Sequence, residues 1–307
     1  MGRGAAAAHP PCQLPRLQLR SGAARPLATY YSETFADYLL WSRRLNMHFG
    51  FWRPGISLMD REAMLEQMNL EVMARLHLDR CARPVVIDMG CGVGTGTRSL
   101  ARAWPGSRPA GLTLVRWQAA NARRWAALDG EHCPPIVVAD YLRAPVRSGV
   151  ADAAFAIESS CYAPGLSKRA LLAEMGRITR PGGRVVVADA MLKRPRSLSP
   201  VSRAAHQGLC QAWALDTLGH IGSFVDALHE VGFGDISVED ISLNVLPSSV
   251  HAPLVTARFA LDAMRSLAAG RAVSRARVRN ALVSVPLMIF AADPTAAGYY
   301  MVSATRR

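Results

Sequence analysis

The 307-residue sequence predicts an α/β protein built on an open parallel sheet with helices on both faces. Three observations predict it. Short β-branched runs alternate with amphipathic stretches across residues 85–188, and parallel strands need such crossovers. One run, Val85-Val86-Ile87-Asp88-Met89, leads into a loop with glycine at positions 90, 92, 94 and 96. A glycine-rich turn between a buried strand and a helix marks a ligand site at the carboxyl edge of such a sheet. Half of the residues are hydrophobic, so a large core is available, and no apolar run reaches the roughly 18 residues of a membrane span.

Taken in order, residues 1–28 are rich in Ala, Pro and Arg, with no acid. They read as a disordered leader; an organelle transit peptide is the alternative, and a secretory signal is excluded by the lack of an apolar stretch. Residues 29–80 read as a separate, partly helical N-terminal segment. Its first part, YYSETFADYLLWSRRLNMHFGFW, concentrates aromatic side chains between 30 and 52. After Pro54-Gly55 a helix is expected from Ser57 to about Leu78, with Ile56, Met59, Ala63, Met64, Met68 and Val72 roughly on one face. Asp60 and Glu62 near its start suit the positive end of the helix dipole.

Residues 81–307 predict the core. Strands are expected at Val85–Met89, Ala110–Leu114, Ile136–Ala139, Ala153–Ile157, Arg184–Ala188, Ile236–Ile241 and Tyr299–Ala304. Helices are expected at about 95–104, 116–128, 167–179 and 221–231. Segments at about 192–220 and 244–290 break the alternation and read as helical cap insertions outside the sheet.

The formal charge is +13, from 36 basic and 23 acidic residues, and Lys168 and Lys193 are the only lysines. Six arginines fall between 258 and 280 against the single acid Asp262. A basic surface suits anionic substrates, nucleic acid or peripheral contact with an anionic membrane. Six cysteines without a C-x-x-C pair read as reduced thiols of a cytoplasmic protein, with no metal site. Oligomeric state is open.

The glycine loop does not fit the phosphate binders. A dinucleotide fingerprint G-x-G-x-x-G would place its third glycine at Thr95 or Thr97, and a P-loop needs a lysine that is absent. What stands is D-x-G-C-G-x-G, from Asp88 to Gly94. This resembles the first motif of class I S-adenosylmethionine (SAM) methyltransferases. The resemblance extends through AGLTLVRWQAANARR (110–124), IVVADYLRAP (136–145) and AIESSCYAPGLSKRALLAEMGRITRPGGRVVVADA (156–190). These are similar to segments of the sterol and tocopherol branch of small-molecule methyltransferases (methyltransferase type 11). The resemblance implies a Rossmann-like class I sheet with SAM as methyl donor and a small-molecule acceptor. It implies that Asp88, Gly90, Cys91, Gly92 and Gly94 hold the amino-acid end of SAM. Thr113 and Gln118 would hold the ribose, Asp140 the adenine amino group, and Tyr141 would lie against the ring. The chain departs from the branch at Val115, at Tyr162 and at Leu40-Trp41-Ser42, where relatives carry Ser, His and Gly-Trp-Gly; the last departure bears on a sterol substrate.

For the reacting end the resemblance implies Glu158, just beyond the fourth strand, and Tyr38, Trp41 and His48 of a helical lid made by the N-terminal segment. An oxygen or nitrogen nucleophile needs a base, for instance a histidine. An alkene carbon instead creates a cation that aromatic faces and a carboxylate stabilise, followed by loss of a proton. Carbon methylation of an isoprenoid or ring carbon is the leading expectation, and O- or N-methylation of a secondary metabolite the alternative. An RNA-modifying methyltransferase and a non-catalytic SAM-binding protein are further alternatives. Against the nucleic-acid reading, the place of an N/D-P-P-Y-type motif reads Glu158-Ser159-Ser160-Cys161. The plain readings stand beside these: His48 as a core histidine, Asp140 as a loop cap, and about half of the lid aromatics as packing.

Overall fold

The computed structural model describes residues 24–307. Its centre is an eight-stranded sheet of β1 (Val85–Met89), β2 (Arg108–Thr113), β3 (Ile136–Val138), β4 (Ala151–Ile157), β5 (Thr179–Leu192), β6 (Gly219–His220), β7 (Phe233–Asp240) and β8 (Ala297–Arg306). The order is β3-β2-β1-β4-β5-β8-β7, with β6 pairing the end of β5. Pairs β1–β2, β2–β3, β1–β4, β4–β5 and β5–β6 are parallel. β8 lies antiparallel between β5 and β7. From β1 the chain winds outward through β2 to β3, then crosses back to lay β4 on the other side of β1. That reversal opens a crevice beyond the carboxyl ends of β1 and β4.

The helices are α1 (Ala24–Glu33), α2 (Phe35–Trp41), α3 (Arg61–Ala74), α4 (Thr95–Ala103), α5 (Arg116–Leu128), α6 (Arg169–Ile178), α7 (Pro200–Ala212), α8 (Ile221–Glu230), α9 (Ser242–Val250), α10 (Ala252–Ala268), α11 (Arg275–Leu282) and α12 (Ser284–Ala291). Alternate residues of β1 feed opposite cores, as the strand period requires. Ile87 and Met89 pack with Leu171, Met175 and Phe224 of α6 and α8. Val86 packs with Met68 and Val72 of α3, Leu100 of α4, and the lid residues Phe49 and Phe51. A third cluster, with Leu209 of α7 and Phe290 of α12, forms the cap.

Several boundaries differ from expectation. Of the leader, residues 1–23 lie outside the described residues, whereas Ala24–Ala28 open α1. The anchor of α1 is distant: buried Tyr30 reaches Asn280 Oδ1 at 3.5 Å and the Tyr38 hydroxyl at 3.1 Å. The helix expected from Ser57 starts at Arg61, because Asp60 accepts from the Ala63 amide at 3.0 Å and caps it there. The insertion expected at about 244–290 starts at Ser242 and consists of four helices, α9 to α12; the α9–α10 break falls at His251, two residues before Pro253.

Candidate active site

Gly90, Gly92 and Gly94 all have positive φ, at +102°, +57° and +80°. A side chain at Gly90 would overlap Ser159 at the end of β4. The turn is pinned from behind: the Gly90 and Cys91 amides donate to the Leu112 carbonyl of β2 at 3.0 and 2.8 Å, and the Gly94 amide to the Cys91 carbonyl at 2.8 Å. Gly92 is different. Its amide has no internal partner among the described residues, and a Cβ there would come 2.5 Å from Cε of Met47 in the lid. Main chain that is bare and open only to a flexible side chain suits the amino-acid end of SAM. The Cys91 sulfur packs against Gly111, behind the turn.

Asp88 is buried and turned inward. Its Oδ2 accepts from the Thr97 hydroxyl at 2.7 Å, and burial lifts its pKa to about 7. The carboxylate therefore fastens the first turn of α4 beneath the loop. At the end of β2, Thr113 Oγ1 donates to Gln118 Oε1 at 2.6 Å, and Gln118 Nε2 meets the Met47 sulfur at 4.0 Å. The two residues expected at the ribose are thus joined to each other and covered by the lid. After β3, Asp140 Oδ1 accepts from the Leu142 amide at 2.9 Å and caps a short 3-10 turn. Tyr141 is buried beside Gly90, and its hydroxyl donates to the Ser159 carbonyl at 2.7 Å. It ties the turn after β3 to the end of β4, and its ring belongs to the core rather than to an open wall.

Beyond the ends of β4 and β5 lies a chamber of about 410 Å³, within the range of small-molecule sites. Tyr31, Tyr38, Trp41, Phe49, Tyr162 and Tyr299 line it, as do Met47, Trp213, Phe259 and Phe290. Glu158 lies on its wall in the left-handed region, φ +45°; a bulky residue held there costs about 1–3 kcal/mol of local strain. Its Oε1 accepts from the Phe49 amide at 2.6 Å and from the Tyr299 hydroxyl at 2.8 Å. Burial, partly offset by those bonds, pushes its pKa up to about 8, with nearby Asp189 adding to the rise. Asp189 of β5 accepts from the Ser160 hydroxyl at 2.6 Å and the Cys161 amide at 2.9 Å, and also lines the chamber.

The structure brings Tyr38, Trp41 and Glu158 together and leaves His48 out. His48 Nδ1 donates to the Phe49 carbonyl at 2.8 Å and Nε2 faces Asn69 Oδ1 at 3.1 Å, with the ring buried. Burial lowers its pKa. Both nitrogens are engaged below the lid, so it is a core histidine and not a base at the acceptor. Several chamber residues escaped the sequence reading, among them Asp189, Tyr299 and Met47. An acid inside the buried run Val185-Val186-Val187-Ala188-Asp189 was the available signal for the first. Tyr299 and Met47 carry none, since their place depends on which strand and loop they meet.

The profile of a family described as a methyltransferase domain matches residues 87–187. Methyltransferase GfsG of Streptomyces halstedii is 29% identical over 204 residues, covering 66% of this chain and 71% of that protein. The O-methyltransferase cnsE of Penicillium expansum is 30% identical over 207 residues, covering 66% and 70%. A geranyl diphosphate methyltransferase solved with its substrate and sinefungin superposes with a TM-score of 0.69 over 94% of this chain and all of that one, at 17% identity. The glycine loop, the last three residues of its strand and the crossover to β4 fall inside the matched segment, and the chain belongs to the SAM-dependent methyltransferases of this family.

Proposed function

We propose that the chain methylates a neutral, lipophilic acceptor at carbon, with Glu158 taking up the proton that leaves. The observation that supports this most is the composition of the chamber: aromatic and aliphatic walls around two carboxyls, Glu158 and Asp189, with no histidine lining it among the described residues. Bound SAM supplies an electrophilic methyl group. The chain's own residues do the rest. The Gly92 amide and the Thr113–Gln118 pair hold the donor, and the free side of the Asp140 carboxylate takes its adenine amino group. Trp41, Tyr38 and Tyr299 present π faces to the positive charge that develops on an attacked alkene or ring carbon. A carboxyl with pKa near the working pH is suited to accept a proton, and a cation nearby favours its ionised form. The lid keeps water out.

The charge of the chamber narrows the acceptor. Its one lining cation among the described residues, Lys193, is ion-paired to Asp240 at 3.0 Å. The geranyl diphosphate methyltransferase takes a diphosphate; here a diphosphate would face Glu158 and Asp189 with no unpaired cation to meet it. One observation favours a second reading, methylation of a phenol-like oxygen: Glu158 with its raised pKa also fits removal of a hydroxyl proton. Incubation with methyl-labelled SAM and a panel of neutral isoprenoids and phenols tests both. NMR of the product separates a C-methyl from an O-methyl, and an O-methyl product overturns the first reading.

A further inference from the structure

Eleven of the twenty-two large hydrophobic side chains exposed among the described residues lie within residues 242–291. On α9 every exposed residue is aliphatic: Leu243, Leu246 and Val250. On α10, Leu254, Leu261 and Met264 face solvent while Val255, Phe259 and Ala263 are buried behind them. A helix that only bounds a cap would show water its polar side. The loop carrying exposed Leu58 and Met59 is tied to the same region, since His251 Nε2 donates to the Leu58 carbonyl at 2.8 Å.

The charges there have one sign. Arg258 and Arg265 interleave with the aliphatic residues of α10, and Arg271, Arg275 and Arg279 follow, all exposed. Between 242 and 291 the only acid is Asp262, which pairs with Arg277 at 2.8 Å. Aliphatic side chains among arginines complement acyl chains beneath anionic headgroups. A second copy of the same face would bring arginines against arginines. The patch also continues into the chamber, because Leu243 and Leu246 are exposed and line it as well. Among the described residues no helix is long and apolar enough to cross a membrane, which leaves contact with the surface.

We propose that this face of the cap rests on an anionic lipid bilayer, and that the acceptor passes from the bilayer into the chamber past Leu243 and Leu246. The route rests on the lipophilic-acceptor reading; the attachment does not. The test is co-sedimentation of the full chain with vesicles of phosphatidylcholine alone and of phosphatidylcholine mixed with phosphatidylglycerol. Binding is expected only to the mixed vesicles. It should fade as salt rises from about 0.1 to about 1 M, where the screening length falls from about 10 to about 3 Å. The double variant Leu261→Glu/Met264→Glu, which leaves the chamber lining intact, should bind about tenfold more weakly or worse, with unchanged SAM affinity by calorimetry. Equal binding to neutral vesicles, no binding to anionic ones, or a double variant that binds like the parent overturns the proposal. Self-association that the double variant abolishes, without vesicle binding, assigns the face to a second copy instead. Vesicle binding without transfer to any lipophilic acceptor would sink the functional reading and leave the attachment standing.

Discussion

Glu158 combines a left-handed backbone, burial and two hydrogen bonds to one oxygen. Glu158→Gln keeps the shape and removes the proton acceptor, so kcat should fall by about 10²-fold or more while calorimetry shows unchanged SAM affinity. Its protonation also couples to stability. The folded pKa is raised from 4.5 to about 8, so the stability it lends is fully present below about pH 4.5 and is lost as pH rises through about 8. Asp88, raised to about 7, acts in the same direction. The Gln variant should therefore melt above the parent at about pH 9 and close to it at about pH 5, read by calorimetric scans. His48→Gln should lower stability yet leave kcat/KM within about tenfold, as expected for a residue bonded to Asn69 and Phe49 outside the chamber. Residue identities in the glycine loop and after β4 were legible because their chemistry is local. His48 was not, since an imidazole among aromatics looks the same in sequence whether it lines a cavity or fills a core.

At the scale of elements, the strand β1 matched its expected bounds because a run apolar but for Asp88 is closed off by Pro84 on one side and Gly90 on the other. α1 did not, because its anchor is Asn280 in another helix. The β1–α4 turn makes a paired prediction. Gly90→Ala should destabilise by about 1–3 kcal/mol in urea denaturation, since both φ +102° and the Ser159 side chain oppose it. Gly92→Ala meets only the end of Met47, so it should cost less stability and show mainly as weaker SAM binding. Lid and cap are clasped by Asp37 of α2, which takes Arg277 at 2.8 Å and Asn280 at 3.0 Å from α11 with its carboxylate buried. Arg277→Met strands that carboxylate and should cost about 3–5 kcal/mol. Adding Asp37→Asn should recover part of the loss, a coupling that a double-mutant cycle in denaturant measures.

For the molecule as a whole, alternating strands and helices were enough to foresee a doubly wound sheet. The chamber was harder to see. Its walls come from residues near 31–49, 158–162, 189–193, 209–218 and 242–299, segments that no periodicity links and that only the sheet order gathers. Met47 gives this arrangement a kinetic signature. One side chain lies over Gly92, touches Gln118 and also lines the chamber, so in the proposed function both substrates would pass the same side chain. Turnover should follow a compulsory sequence in which the donor is seated first and its demethylated remnant departs last. S-adenosylhomocysteine would then inhibit competitively against SAM and in a mixed pattern against the acceptor, and swapping Met47 for alanine would loosen that queue towards random entry.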